Sequence, residues 1–440
     1  MPKRPLMPSP WLEDAPEPVV TPALTGDRDV DVCIVGAGYT GLSTAIAMRD
    51  QGRDVLVLEA QRAGWGASGR NAGHLTPTIG KDIPMLRLMY RRKRVRGLLR
   101  LADVAIGHTE QLIDRFAIDC AYEPVGNIVV AVHPGQHRNL KRSAAAAARY
   151  EVPAQLLDRD ALQRRGIPAH FSMGLLEPHG GILDPARYVL GLRAAAQSLG
   201  AELCEHTPVN QIRPGSPAVV RTPDGTIRAR QVIVATNGYG GVLANLHRRH
   251  IVTYVQLFRT SPLTSQQLAA VGWAGREGLY TAHEMLESYR LTQDNRIIGG
   301  AKLVRHARVD QRRPDADPAV ARILETAFRT RFPMLNDLAI EQHWGGQIAF
   351  GLDLLPLIGT TGDHDEIAYA IAYAGHGISL ASYAGTMMAD LLAGRDGAGT
   401  PLWSRHQWLI PPDPVRGAIV ATLTGVFGHI DRRRDDFDWG

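Results

Sequence analysis

The chain has 440 residues, a formal charge of +5, 45% hydrophobic and 21% charged residues. This excludes a chain dominated by disorder and leaves room for two domains with sizeable cores. Three cysteines, Cys33, Cys120 and Cys204, exclude a disulfide scaffold and show no paired zinc spacing, and no apolar run reaches the roughly 18–20 residues of a membrane span.

Residues 1–27 are Pro-rich and aperiodic. They read as an extended surface arm rather than a signal core, so a cytoplasmic protein is expected. Asp31–Val35 is a short β-branched run, a buried strand. Gly36 to Gly41 turns the chain, residues 40–51 carry small and apolar residues at helical spacing, and Asp54–Glu59 is a second buried strand. Together they form a βαβ unit of about 30 residues. Residues 86–165 read as mostly helical. Their basic run Arg91-Arg92-Lys93-Arg94-Val95-Arg96 reads as a solvated helix face, so no nucleic-acid partner is expected. The arginine bias of the whole chain, 44 Arg against 5 Lys, points the same way, to base composition.

Val219 to Arg230 predicts a hairpin around Pro223-Asp224-Gly225, followed by the strand Gln231–Thr236. Residues 250–304 alternate like strands. Residues 366–373 form another apolar run leading into Gly375-His376-Gly377 and a helix to about Leu392. The tail, 401–440, has apolar spacing from Val415 to Phe427 before Asp431-Arg432-Arg433-Arg434-Asp435; a basic amphipathic end of this kind can rest on a membrane, and packing back on the body is the expectation. The pattern divides the chain into a nucleotide-binding domain (28–85, 180–250 and 340–400) and a second domain inserted twice (86–179 and 251–339).

Gly36-Ala37-Gly38-Tyr39-Thr40-Gly41 follows a strand, opens a helix, and is answered by Glu59 at the end of the second strand. Gly36 permits the tight turn, Gly38 leaves room for a pyrophosphate at the positive helix N-terminus, and Gly41 allows close helix–strand packing. Glu59 suits the adenosine ribose hydroxyls. The small-residue segment Gly64-Trp65-Gly66-Ala67-Ser68-Gly69-Arg70-Asn71-Ala72-Gly73-His74 then favours a flavin over a simple NAD domain, because its backbone can approach a flat ring.

On these residues the chain resembles the D-amino-acid-oxidase-like FAD-dependent amine oxidoreductases, the group with glycine oxidase, monomeric sarcosine oxidase and gamma-glutamylputrescine oxidase. Further matches are Ala235-Thr236-Asn237-Gly238, Trp344-Gly345-Gly346, Asp353-Leu354-Leu355-Pro356-Leu357-Ile358-Gly359 and Gly375-His376-Gly377-Ile378-Ser379. The resemblance implies an α/β fold: a Rossmann-like FAD-binding domain plus an antiparallel-sheet α+β substrate domain that roofs the flavin. It implies FAD contacts from Gly36, Gly38, Tyr39, Thr40, Gly41, Glu59, Ala60, Ala67, Ser68, Gly69, Arg70, Asn71, Gly73, His74, Val209, Ala235, Thr236, Asn237, Gly346, Pro356, Gly375, His376, Gly377, Ile378 and Ser379. Residues 344–356 contain no Cys where some relatives attach flavin covalently, so FAD is expected to be non-covalent.

The implied reaction is oxidation of a C–N bond of an amine or amino acid, giving an imine and then a carbonyl compound, with O2 as acceptor and hydrogen peroxide as product. Lys302 and His306, in a Lys-xxx-His stretch like that of monomeric sarcosine oxidase, are expected to activate oxygen and to lie in the active site; His74 and His376 are expected beside the flavin. Tyr254, Gln256, Tyr289 and Arg290 are expected substrate contacts on roof strands, with Arg290 suited to a carboxylate. Two alternatives stay open: a flavin amine dehydrogenase passing electrons to a quinone or carrier, and an RNA-associated FAD protein using Arg91–Arg96.

Overall fold

The computed structural model describes residues 8–16, 19–239, 243, 246–302, 304–306 and 316–435; the side chains of residues 305 and 306 lie outside that description. The first strand, β1 (Arg28–Val35), runs into the Gly-rich turn and α1 (Tyr39–Asp50), and β2 (Val55–Leu58) returns. Then follow β3 (His74–Leu75), α2 (Arg92–Arg115), β4 (Asn127–Ala131), β5 (Met173–Glu177), β6 (Gly181–Ile182), α3 (Pro185–Ser198), β7 (Glu202–Cys204) and β8 (Thr226–Val234). The second half contributes β9 (Ile251–Thr260), β10 (Gly278–Thr281), β11 (Glu287–Leu291), β12 (Ile297–Ala301), β13 (Arg305–His306), α4 (Pro318–Arg331), β14 (Ile340–Phe350), β15 (Leu357–Thr361), β16 (Ile367–Ile371), α5 (Gly377–Ser382), α6 (Ala384–Leu392) and α7 (Val415–Arg432).

Two large sheets organise these elements. The first has the order β15-β16-β8-β1-β2-β7. Its central strands are parallel, and their C-terminal ends are buried, as strands covered on both faces must be. Helices α1, α2, α3, α5 and α6 cover one face through Leu42, Ile46, Leu98, Ile106, Val189 and Met387. The second sheet has the order β13-β9-β12-β11-β10-β4-β5, with β14 pairing along β9. It is antiparallel except between β10 and β4.

Two expectations change. The strand Ile340–Phe350 belongs to the second sheet, so the segment from 340 does not begin inside the nucleotide-binding layer. The N-terminal arm is also not simply extended: Pro10–Asp14 is a helical turn capped by Ser9, and Trp11 is buried against Leu257, Ile298 and Trp344. An exposed indole would forfeit about 2 kcal/mol or more of transfer free energy, which is reason enough for the arm to dock.

Side-chain parity in the second sheet decides what faces the first. Leu257 pairs with Trp344 and Val255 with Gly346, on the side that meets Ala72 and Arg70 of the Gly-rich loop. Gly278, Tyr280, Asn127, Glu177 and Arg290 share that side. Tyr254, Gln256, Phe258 and Tyr289 stand on the opposite side, where Phe258 and Tyr289 pack beneath α4 against Phe328 and Phe332.

Candidate functional site

The nucleotide end is built by the tight turn after β1. Gly36 has φ +107°, and a Cβ there would lie 2.9 Å from the carbonyl oxygen of Ala235 at the end of β8. A Cβ on Gly41 would sit 1.8 Å from the carbonyl oxygen of Gly36, so only glycine lets α1 lie this close to β1. The N-cap of α1 is Gly38, which offers no side chain to the first amides. Ser68 Oγ accepts from Tyr39 N at 3.0 Å, and a Cβ on Gly38 would meet that oxygen at 2.8 Å. A helix N-terminus whose N-cap carries no side chain is a ready seat for pyrophosphate. Thr40 Oγ1 lies inside the helix, 2.8 Å from Tyr373 OH.

Glu59 braces the turn from the end of β2. Its Oε2 accepts from Ala37 N and its Oε1 from Gln61 N, both at 2.9 Å. Burial pushes its carboxyl above the usual range while these amides pull it down. Ala60 is exposed beside it. Thr207 N donates to Glu59 O, which brings the chain toward the half-buried Val209 to the same rim. This geometry fits a dinucleotide: a cradle without side chains for the phosphates and a carboxylate beside it.

The Gly-rich loop is internally cross-braced. Ala67–Gly69 forms a 3-10 turn. Asn71 Nδ2 donates to the carbonyls of Ala67 and Ser68 and to Tyr39 OH, while its Oδ1 accepts from Gly73 N. Buried Arg70 donates to Trp65 O at 2.8 Å and to Gly345 O at 3.3 Å, and Trp344 Nε1 returns a bond to Arg70 O. Gly346 stands opposite Arg70 with nothing closer than 3.6 Å to an added Cβ.

The other wall comes from the first sheet. Asn237, at φ +48°, accepts from Ala372 N, tying Thr236 and the end of β8 to the loop after β16. Pro356 is buried just before β15. Gly375 has φ +82°, and its added Cβ would touch Ile348 of β14 at 3.5 Å. His376 Nδ1 donates to Ala374 O, and burial lowers its pKa. Gly377 and Ile378 open α5, and Ser379 Oγ donates to Thr76 O at 3.4 Å.

Between the walls lies a polar group of which the sequence marked only a part. Asn127 Nδ2 donates to Leu75 O, which turns its Oδ1 to His74 Nδ1 at 3.0 Å. The Nδ1 of His74 is therefore the donor and Nε2 the acceptor. That Nε2 is buried without a partner, and burial pushes the imidazole down to about 3, so it is neutral. The ring lies tilted at 44° against Tyr280, centroids 4.7 Å apart, and Tyr280 OH donates to Asn127 Oδ1. Glu177 faces the same place with Oε2 buried and unpartnered, its carboxyl pushed up to about 7 by burial. Arg290 Nη1 donates to the carbonyls of Gly73 and Leu183, its guanidinium lies over the Trp11 ring at 5.2 Å, and its Nε is buried without a partner. Nothing in the sequence around Asn127, Glu177 or Tyr280 marked them; their convergence is a matter of register between β4, β5 and β10.

Four expected residues lie elsewhere. Tyr289 donates to Glu287 Oε2 at 2.9 Å within the aromatic core. Gln256 accepts from Asp317 N at 2.8 Å, on the side of the sheet under α4. Tyr254 shares that side, its ring lying over Gly345. Lys302 is fully buried, paired with Glu287 and with Asp435 of the tail at 2.6 Å, beside Arg331. It sits in a buried ion cluster rather than with the Gly-rich loop. His306 pairs through its backbone with Thr253 in β13, and its side chain lies outside the described residues. The thiols of Cys33, Cys120 and Cys204 are all buried, and burial raises each pKa to between about 11 and about 12.

Residues 31–391 match the FAD dependent oxidoreductase family. The chain is 34% identical over 367 residues to gamma-glutamylputrescine oxidoreductase of Escherichia coli (strain K12), covering 83% of this chain and 84% of that protein. Its fold is similar to that of glycine oxidase from Geobacillus kaustophilus (TM-score 0.73, 21% identity, 86% of this chain and 99% of the other). It is also similar in fold to L-proline dehydrogenase from P. horikoshii (TM-score 0.71, 19% identity, 85% and 96%). Among the described residues, no helix is long and apolar enough to cross a membrane.

Proposed function

This chain belongs to the FAD dependent oxidoreductase family, and from that premise we propose that it oxidises the C–N bond of a small amine or amino acid, with O2 as acceptor and hydrogen peroxide as product. The observation that carries the reading is the convergence of His74 Nε2, Glu177 Oε2 and Arg290 Nε, three buried polar atoms without partners, on the sheet side that meets the Gly-rich loop. Buried polar atoms cost free energy unless a partner arrives, and a ligand supplies one.

When bound, FAD supplies the two-electron acceptor for the reaction. The turn at Gly36–Gly41, Ser68 and Glu59 would hold its dinucleotide portion without a covalent link. Neutral His74 offers Nε2 as an acceptor to a substrate N–H, which orients the C–N bond. Arg290 keeps its charge, although burial lowers its pKa to about 10, and its guanidinium suits a substrate carboxylate. Orientation by these groups is the protein's main contribution. The imine released then adds water and separates into a carbonyl compound and an amine or ammonia.

One observation favours a second reading, a dehydrogenase using an acceptor other than oxygen. Lys302, the cation expected to promote oxygen reduction, is held by Glu287 and Asp435. The deciding experiment is anaerobic bleaching of the flavin absorbance by a panel of amines and amino acids, followed by air. Recovery with peroxide supports the oxidase. Bleaching that persists in air supports the dehydrogenase. No bleaching by any amine removes the C–N reading.

A further inference from the structure

The tail carries a surface that the redox site does not use. Helix α7 is anchored by polar groups and turns its apolar side outward. Arg416 donates to His247 O at 2.8 Å, and Asp431 accepts from Glu284 N and Met285 N at 2.9 and 2.8 Å. Val420 packs with Ile251 and Ile410. On the outward side, Val415, Ala418, Leu423 and Val426 are exposed, with half-buried Ile419 among them at helical spacing from Val415 and Leu423. Val415 and Val426 are each 51% exposed, and an added Cβ on neighbouring Gly425 meets nothing within 4 Å. An ordinary surface helix buries its apolar stripe in the core; this one presents it.

The stripe continues into the preceding segment, where Trp408 is 58% and Leu409 56% exposed. Of the thirteen exposed large hydrophobic residues among those described, five fall between 408 and 426, which marks a patch rather than scatter. The charges around it are mainly basic, with Glu284 beside Asp431 and Asp413 before the helix as exposed acids. Asp431 is turned inward onto backbone amides, and Asp435 reaches the buried Lys302 and Arg331. Arg432, Arg433 and His429 are exposed at one end, and Arg248 and His406 are exposed near Ile410 and Trp408. Exposed Asp413 lies at the far end from the arginine pair.

From an apolar stripe, an exposed Trp and a cationic rim, we infer that α7 and the 406–410 segment dock the protein on a bilayer surface carrying anionic phospholipid headgroups. The apolar side chains enter the headgroup–acyl boundary, and the arginines meet the headgroup charge. The protein rests on the membrane and does not span it.

The test is flotation of the full-length FAD-loaded protein with vesicles of phosphatidylcholine, with and without about a third phosphatidylglycerol. Expected is at least a ten-fold higher bound fraction on the anionic vesicles, falling as salt rises. Leu423→Asp with Val426→Asp should lose that binding by ten-fold or more while thermal midpoint and flavin absorbance stay unchanged, because both side chains face outward. Arg432→Gln with Arg433→Gln should flatten the salt dependence. Absence of vesicle binding by the unmodified protein overturns the inference. So does binding that survives the Leu423/Val426 pair, and so does an outward face shown by sedimentation to pair two copies of the chain, with that pairing lost in the same variant.

Discussion

Oε2 of Glu59 lies 2.9 Å from the amide nitrogen of Ala37, so the residue that follows β2 closes the turn that follows β1. One carboxylate thus braces the Gly-rich turn, which under the proposed function meets the phosphates, with Glu59 beside the ribose. Glu59→Ala removes charge-assisted hydrogen bonds, each worth about 1.5–3 kcal/mol. FAD should bind about 10- to 150-fold more weakly, read by titrating apoprotein with FAD. Unchanged affinity would remove Glu59 from the cofactor site.

Gly38 and Gly41 should fail differently. A Cβ at position 38 meets a side-chain oxygen, Ser68 Oγ, at the helix mouth, whereas one at position 41 meets backbone, Gly36 O at 1.8 Å. Gly38→Ala should lower FAD content with little change in the melting of apoprotein. Gly41→Ala should lower both, because β1 and α1 must separate. Equal melting of the two variants without FAD would contradict this.

Tyr289 and Arg290 are adjacent but face opposite sides of the second sheet. Tyr289→Phe loses one hydrogen bond to Glu287 and should cost about 1 kcal/mol of stability with kcat/KM unchanged within about twofold. Arg290→Lys keeps the charge but loses the planar fork. It should lower kcat/KM for a carboxylate-bearing amine about tenfold or more, mainly through KM. A reversed pattern would exchange their assignments.

The cluster of Lys302, Arg331, Glu287 and Asp435 ties the tail to the second sheet. Neighbouring Lys302 and Arg331 hold the carboxyls of Glu287 and Asp435 below their usual range against the opposing effect of burial. Their stabilising contribution is therefore present above the unfolded carboxylate pKa, near 4, and is lost as pH falls through the folded values. Lys302→Met should destabilise by about 3–5 kcal/mol by leaving buried carboxylates undercompensated. It should leave the reoxidation of reduced flavin by air unchanged; a large slowing would return Lys302 to the oxygen step.

Glu177 acts with the opposite sign. Its folded carboxyl is raised to about 7. Stability is thus full below the unfolded pKa near 4.5 and declines as pH rises through about 7, by on the order of 3 kcal/mol at most. Glu177→Gln should flatten thermal stability between about pH 5 and 8. A wild-type stability that is already flat there would show the carboxyl to be solvated.

What the sequence determined by itself was the part of the molecule built from local contacts. The βαβ unit, the glycines at 36, 38 and 41, and Glu59 lie within 32 residues of each other, and the backbone there dictates residue type directly, through a positive φ or a forbidden Cβ. The loop from Gly64 to His74 was legible for the same reason. The polar group between the sheets was not. Whether a residue of the second sheet points toward the Gly-rich loop or under α4 depends on strand parity, and parity depends on pairings such as Gly278 to Asn127 and Asn127 to Glu177, set across separations of 50 residues and more. A shift of one residue would have placed Tyr289 rather than Arg290 beside the Gly-rich loop. Lys302 likewise carried the right chemistry, but the tail, more than 130 residues later in the chain, supplied Asp435 as its partner. Short-range steric rules are written in the sequence; long-range register and charge pairing are settled only when the two sheets and the tail pack, because only then do burial and low dielectric make one partner choice much better than another.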